Sequence, residues 1–196
     1  MITDYSTLMF KLSNYASPKS RITRLIKNRE LIHIKRGIYI DNENLPYQVL
    51  SPLIYGPSYL SFQYALSVYG LIPERVNIYM SASYNKNKDK VFKTPVGNFH
   101  YLYLPAKAYP YGICLLNEGG YNYLQASVEK ALCDSIYKVS GIANFHDIEN
   151  LIYEDFRIEH SDVINLDNLF ISNVAPMYSS KALSIFAKWL SGVRRG

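Results

Sequence analysis

Cysteine is scarce in this sequence, which has 196 residues but only Cys114 and Cys133. The two do not form a C-x-x-C motif, and no histidine stands at ligand spacing from either of them. This scarcity excludes a disulfide-stapled scaffold and a thiolate zinc site, because both need more cysteines in closer groups. We therefore expect both thiols to be reduced and buried.

Long hydrophobic runs are also missing, since no stretch approaches the roughly 20 apolar residues of a membrane helix. The sequence begins Met1-Ile2-Thr3-Asp4, without the basic and then apolar order of a secretory leader. Hydrophobic residues make up 48% and charged residues 19% of the chain, which is enough to form a buried core. We expect a folded cytoplasmic protein with one ordinary domain and one small module.

Acidic residues are sparse in the first forty positions, where only Asp4 and Glu30 occur. That stretch has a charge balance of +6, whereas residues 41–196 contain thirteen basic and fourteen acidic residues. The net charge of +5 is therefore concentrated in the first fifth of the chain, as phosphate neutralisation requires. We expect residues 17–40 to be the only strong nucleic-acid contact. The eight basic residues are Lys11, Lys19, Arg21, Arg24, Lys27, Arg29, Lys35 and Arg36.

Two helices are predicted near the N-terminus, over residues 4–12 and from Ser17-Pro18 onward. Serine at the N-cap followed by proline at the first helical position is a strong start signal. The spacing of Ile22, Leu25 and Ile26 places them on one buried face of the second helix. The outward face mixes cations and hydroxyls without an acid, which is typical of a recognition helix. That face comprises Lys19, Ser20, Arg21, Thr23, Arg24 and Lys27.

A β-hairpin is predicted directly after this helix, because the apolar period changes from 3.6 to 2 over residues 31–34 and 38–40. Gly37 can take the positive φ that a tight hairpin demands, which places Lys35 and Arg36 at its tip. Helix, turn and hairpin together predict a winged helix-turn-helix DNA-binding domain over residues 1–42. A small helical cap with cations for solubility is the alternative.

Contacts with double-stranded operator DNA are divided between base edges and phosphates. The helix positions predict base contacts from Arg21, Thr23 and Arg24. Phosphate contacts are predicted for Lys19, Ser20, Lys27, Lys35 and Arg36. One such module buries little surface, so we expect a monomer or dimer to occupy two adjacent half-sites.

Residues 45–196 predict a second, α+β domain with a small antiparallel sheet followed by helices. Ser61 is expected to cap a helix over residues 62–69, and Ser127 another helix. Strands are expected over residues 76–82, 91–94, 98–104 and 113–116.

Catalytic patterns fail in this second domain, so we expect no enzyme, no cofactor and no metal. Ser127 and Lys130 match S-x-x-K, but the companion motifs S-D-N and K-T-G are missing. The sequence has no E-x-K, no Gly-Ser turn with paired aspartates and no P-loop. His100, His146 and His160 lie far apart in sequence, and we expect surface or locally hydrogen-bonded roles for them.

Three blocks resemble the AbiEi-type antitoxins and transcriptional regulators of abortive-infection, type IV toxin–antitoxin operons. The blocks are SRITRLIKNRELIHIKRGIYI at residues 20–40, GPSYLSFQYALSVYGLIPE at 56–74 and ASVEKALCDSIY at 126–137. Many relatives have glycine where this chain has Asn28-Arg29, and Asn28 is expected to take the left-handed conformation there. The likeness covers about residues 1–140.

The resemblance implies a winged helix that represses its own operon and a second domain that counteracts a nucleotidyltransferase-like toxin without a stable complex. In the third block, we favour helix-surface pairing of Glu129, Lys130 and Asp134 above a buried apolar face, with a binding role as the alternative. Two other functions remain open, a solitary winged-helix regulator and a protein or RNA interaction module without a toxin partner.

Overall fold

The N-terminal part of the chain forms a helix pair beside a three-stranded sheet. The computed structural model describes residues 1–41 and 44–193. Antiparallel strands run in the order β1-β3-β2, so the hairpin formed by the last two strands also pairs with the first. The elements are β1 (Ile2–Thr3), α1 (Tyr5–Lys11), α2 (Pro18–Lys27), β2 (Ile32–Lys35) and β3 (Ile38–Ile40).

Local signals fix the start of both helices. The Asp4 carboxylate accepts the Thr7 backbone N–H at 2.7 Å, and the Ser17 hydroxyl accepts that of Ser20 at 3.4 Å. These bonds satisfy backbone donors that a helix N-terminus otherwise leaves free. The predicted start of α2 at Ser17 and Pro18 is confirmed.

The left-handed residue in the turn after α2 is Arg29. The sequence predicts this conformation for Asn28, so that prediction is wrong. Asn28 keeps a right-handed backbone with φ −81°, whereas Arg29 has φ +61°. The backbone N–H of Glu30 donates to the Leu25 carbonyl at 3.0 Å, and that of Arg29 donates to Ile26 at 3.1 Å. This pair of bonds is a Schellman motif, which requires the left-handed residue one position beyond the helix cap.

A six-stranded mixed sheet is the centre of the remaining chain, in the order β6-β7-β5-β4-β9-β8. The α+β class is confirmed, but the prediction of a small antiparallel sheet is wrong. The pairs β5/β7 and β4/β9 are parallel, and β4/β5, β6/β7 and β8/β9 are antiparallel. The strands are β4 (Ser58–Leu60), β5 (Tyr79–Ser83), β6 (Lys90–Thr94), β7 (Gly97–Tyr103), β8 (Ile113–Glu118) and β9 (Tyr121–Ala126).

Helices follow the sheet as predicted, and two more lie on either side of β4 in the sequence. A 3-10 turn (Tyr47–Leu50) leads into α3 (Ser51–Ile54), and a π-helical turn (Asn150–Asp155) follows α6. The further helices are α4 (Phe62–Val68), α5 (Val128–Tyr137), α6 (Phe145–Glu149), α7 (His160–Asn165), α8 (Asn168–Val174) and α9 (Lys181–Val193).

The hydrophobic core has one cluster on each side of the sheet. The larger cluster joins the sheet to α4, α5, α6 and α9 and includes Cys133, whereas Cys114 is only partly buried. Both thiols are free, and the expectation of two buried thiols holds for Cys133 alone. On the other side, Ile34 and Ile40 of the N-terminal hairpin share a cluster with Leu60 of β4. The N-terminal elements are therefore packed directly on the sheet.

None of the helices within residues 1–41 and 44–193 is both long and apolar enough to cross a bilayer.

Candidate functional site

Helix α2 presents a cationic face to solvent. Ile22 is buried against Leu8, Leu31 and Tyr39, and Leu25 and Ile26 are half-buried beside it. This packing confirms the predicted inward face and turns the opposite side of the helix outward. Lys19, Ser20, Thr23, Arg24 and Lys27 are exposed there, and Arg21 is half-buried.

The cations of this face have no acidic partners among the described residues. Within residues 1–41 and 44–193, no carboxylate lies within 4.0 Å of Lys19, Arg21, Arg24 or Lys27. The Arg21 guanidinium lies 5.4 Å from the centre of the Tyr15 ring, and its buried Nε has no hydrogen-bond partner within residues 1–41 and 44–193. A phosphate or base edge would therefore meet these groups without displacing an ion pair.

The two hydroxyls of the face bond within the helix. The Thr23 hydroxyl donates to the Lys19 carbonyl at 3.2 Å, and the Ser20 and Ser17 hydroxyls are 2.8 Å apart. Both are exposed, and a hydroxyl retains acceptor capacity while it donates. The structure thus brings the base-edge and phosphate candidates of α2 onto one surface.

The hairpin tip separates its two cations. Gly37 has φ +83°, as predicted, and Arg36 is exposed. Lys35 instead turns toward the sheet, where its Nζ donates to the Ile54 carbonyl at 2.5 Å and lies 4.7 Å above the Phe92 ring. A register shift between residues 33 and 35 re-aims this side chain. Lys35 thus anchors the hairpin to the sheet, whereas the sequence predicts a phosphate contact for it.

A fully buried ion pair lies in α5, where helix-surface pairing was expected. Lys130 Nζ is 2.7 Å from Asp134 Oδ1, and both side chains are 0% exposed. The i, i+4 pairing was right and its surface location was wrong. Helix α5 is buried on most of its sides, because it packs among α4, α8, α9 and the sheet, and the apolar face of Ala131, Leu132 and Ile136 is only part of that burial.

Three hydroxyls complete this buried network. Tyr178 donates to Asp134 Oδ1 and accepts from Lys130 Nζ, each at 2.5 Å. Tyr59 and Ser61 donate to Asp134 Oδ2 at 3.0 and 2.6 Å. Ser61 does occupy the N-cap of α4 as predicted, but its hydroxyl makes no cap bond and serves the carboxylate instead. All five side chains are buried, so the network is structural.

Burial controls the ionisation of the groups around the network. Removal from water raises the pKa of the Tyr59 and Tyr178 hydroxyls well above the ordinary tyrosine range, and the charge of Asp134 adds to this effect. Burial likewise raises the pKa of the Cys133 thiol. The tyrosines remain neutral donors and Cys133 remains a protonated thiol.

Ser127, His146 and His160 make local contacts in this part of the chain. The Ser127 hydroxyl accepts the Lys130 backbone N–H at 3.3 Å, so Ser127 caps α5 as predicted. His146 and His160 are both exposed, which agrees with the surface or locally hydrogen-bonded roles that we expected. His146 contacts Asn150 at 3.2 Å, and the His160 ring stacks on Tyr153. Among the described residues, no three His, Cys, Asp or Glu side chains are grouped so that they can hold a metal ion.

Comparison with known proteins adds no family to this geometry. No family model matches the chain, and no curated protein matches it. A proposal for the function of the chain must therefore be argued from its own residues.

Proposed function

We propose that this chain is a DNA-binding autorepressor and antitoxin whose α2 enters the major groove of its operator. The observation that carries this proposal is the outward face of α2, where cations and hydroxyls stand without an acidic partner in the described chain. Solvated helix faces usually mix charges of both signs. A face with cations alone is suited to phosphates and base edges.

We infer that α1 and α2 act as a helix-turn-helix, with α2 as the recognition helix of a winged module, and the order of α1, α2 and the hairpin supports this. In such modules, the second helix lies in the groove with its N-terminal residues against base edges. Arg21, Thr23 and Arg24 are the base-reading residues, and Lys19, Ser20 and Lys27 hold phosphates beside them. Arg36 at the hairpin tip adds a phosphate contact of the wing.

The antitoxin half of the proposal is supported by the sequence blocks at residues 56–74 and 126–137. The second domain would counteract a nucleotidyltransferase-like toxin without a stable complex. In the third block, Lys130 and Asp134 are buried. These two motif residues therefore support the fold, and the surface that acts on the toxin lies elsewhere.

Arg24→Ala should weaken binding to the operator by about 5- to 150-fold, since a base contact by arginine is worth about 1–3 kcal/mol. Gel-shift titrations on the chain's own upstream DNA and on a scrambled duplex measure the change. The loss should be confined to the upstream DNA. Lys188→Ala removes an exposed cation from α9 and should leave both affinities unchanged.

An equal loss on both duplexes would show that Arg24 contacts phosphate only. If the unaltered protein binds both duplexes equally, the autorepressor proposal fails and a general interaction module takes its place. If it binds neither duplex, the proposal that the chain binds DNA is wrong.

Co-expression with the neighbouring gene tests the antitoxin half. We expect that gene to arrest growth alone and the intact chain to restore it. Arg21→Ala/Arg24→Ala should restore growth equally well while a reporter on the upstream DNA loses repression, because the second domain acts on the toxin. If the neighbouring gene is not toxic, the antitoxin half of the proposal fails and the chain is a solitary regulator.

A further inference from the structure

A second basic segment lies at the free edge of the six-stranded sheet, where β6 has a neighbour on one side only. Residues 84–94 contain Lys86, Lys88, Lys90 and Lys93 but one acid, Asp89. The Asp89 carboxylate pairs with Lys138 of the α5 C-terminus at 3.1 Å and accepts the Tyr103 backbone N–H at 2.9 Å. The single acid of this segment is therefore engaged elsewhere.

This segment touches the hairpin tip of the N-terminal part through Phe92. Lys35 Nζ lies over the Phe92 ring, whose centre is 5.7 Å from that of Tyr55, and Lys86 Nζ lies 5.1 Å above Tyr55. Both amines thus rest on two adjoining rings. Arg36 follows Lys35 in the chain and is exposed, so it emerges beside the segment.

Strand β6 and the turn after it meet the N-terminal part at two places. Lys90 is two residues from Phe92 and lies on the same face of the strand, whereas Lys93 lies on the opposite face. At the far end of the strand, Val96 lines a cleft of about 530 Å³ together with Arg29, which follows α2. The chain from Phe92 to Val96 therefore extends from the hairpin tip toward the C-terminal end of α2, and Lys90 precedes Phe92 on the other side of the tip.

The lysines on this side are free to meet an anion. In the part of the chain that the structure describes, no carboxylate lies within 4.0 Å of Lys86, Lys88 or Lys90. Lys88 and Lys90 are exposed, and Lys86 is half-buried on its ring. The summed charge of residues 41–196 is near zero, because acidic residues elsewhere in that range cancel the positive charge of this segment. The sum therefore does not reveal that the segment is basic.

We propose that Arg36, Lys86, Lys88 and Lys90 form a β6 strip that binds the phosphate backbone of DNA flanking the sequence read by α2. The inference rests on the proposed function and extends its interface onto the second domain, beyond residues 17–40. The ligand is double-stranded DNA, and the strip adds affinity without base readout, because amines on phosphates carry no sequence information.

The test is the salt dependence of binding by the full chain. Lys86→Gln/Lys88→Gln/Lys90→Gln should lower the slope of log affinity against log salt concentration by about 3, close to one unit per lost phosphate contact. Affinity should fall equally on operator and scrambled duplexes, so their ratio should not change. Lys88→Glu alone should give a partial loss of the same kind, and circular dichroism should show that both variants are folded.

The matched control removes three exposed lysines elsewhere, as Lys107→Gln/Lys181→Gln/Lys188→Gln, and should keep the original slope. An unchanged slope in the β6 variant would overturn the inference while the Arg24 result still supports the proposed function. These lysines would then only block the sheet edge against pairing with other chains. A control that loses as much as the β6 variant would also overturn it. An intact protein that binds no duplex would overturn both proposals.

Discussion

Asp134→Asn should destabilise the protein by about 3–5 kcal/mol, the cost of leaving a buried charge without its partner. Its carboxylate has four donors, two on each oxygen, from Lys130, Tyr178, Tyr59 and Ser61. An amide keeps one acceptor oxygen only, so it cannot satisfy this set. Small proteins are stable by about 5–15 kcal/mol, so the loss is a large part of the whole.

Urea unfolding followed by the fluorescence of the single tryptophan, Trp189, measures this loss. The chain offers a matched control in the Lys138–Asp89 pair, which has the same chemistry at the surface. Asp89→Asn should change the free energy of unfolding by about 1 kcal/mol or less. A similarly small cost for Asp134→Asn would mean that the buried pair contributes no more than the exposed one.

The double variant Lys130→Met/Asp134→Asn separates a buried charge from lost packing. It no longer buries an ammonium group, so it should recover part of the stability lost in Asp134→Asn. The two changes should therefore be strongly non-additive, since the residues are in direct contact. Additive losses would show that the ion pair is not the source of the effect.

The two helices and the hairpin of the N-terminal part were predictable because their signals are local. Ser17 and Pro18 start α2, and Gly37 closes the hairpin, within a few residues of the structure that each one determines. The six-stranded sheet was harder to predict, because β4 is three residues long and too short to show an alternating pattern. Its parallel pairing with β9 joins residues 60 and 125, a relation that no local pattern encodes.

Burial of the α5 pair was missed for a similar reason. Lys130 and Asp134 at i, i+4 are typical of an exposed helix, and only the packing of distant elements encloses them. Tyr178 reaches the pair from 44 residues further along the chain. A signal was nevertheless present, since Ala131, Leu132 and Cys133 are consecutive and leave this helix without a solvent face.

The anchor role of Lys35 was equally non-local. The charge at a hairpin tip predicts an exposed phosphate contact, but Phe92 and Ile54 come from other parts of the fold. Charge sums along the sequence failed to identify the β6 lysines for a similar reason. They average over residues that the fold keeps apart, so a locally basic edge is lost in a neutral total.

The second large effect is expected at alkaline pH, because many tyrosines are buried. Burial raises the pKa of several of them above the ordinary value near 10, and the largest shifts are those of Tyr59, Tyr64, Tyr101 and Tyr178. Above pH 10, each of these groups keeps its proton in the folded chain but loses it in the unfolded chain. The unfolded state then binds fewer protons, so the free energy of unfolding must fall as pH rises.

The stability is fully present below about pH 10 and should fall by about 1.4 kcal/mol per pH unit for each group, or roughly 5 kcal/mol per unit for all four. One steep transition should therefore appear, with tyrosinate absorbance and Trp189 fluorescence changing together as pH is raised. Tyr64→Phe should reduce the dependence by about one group, whereas Tyr111→Phe, at an exposed position, should not. Gradual ionisation of the four tyrosines in a chain that stays folded would contradict this account, because it would mean that water reaches them in the native state.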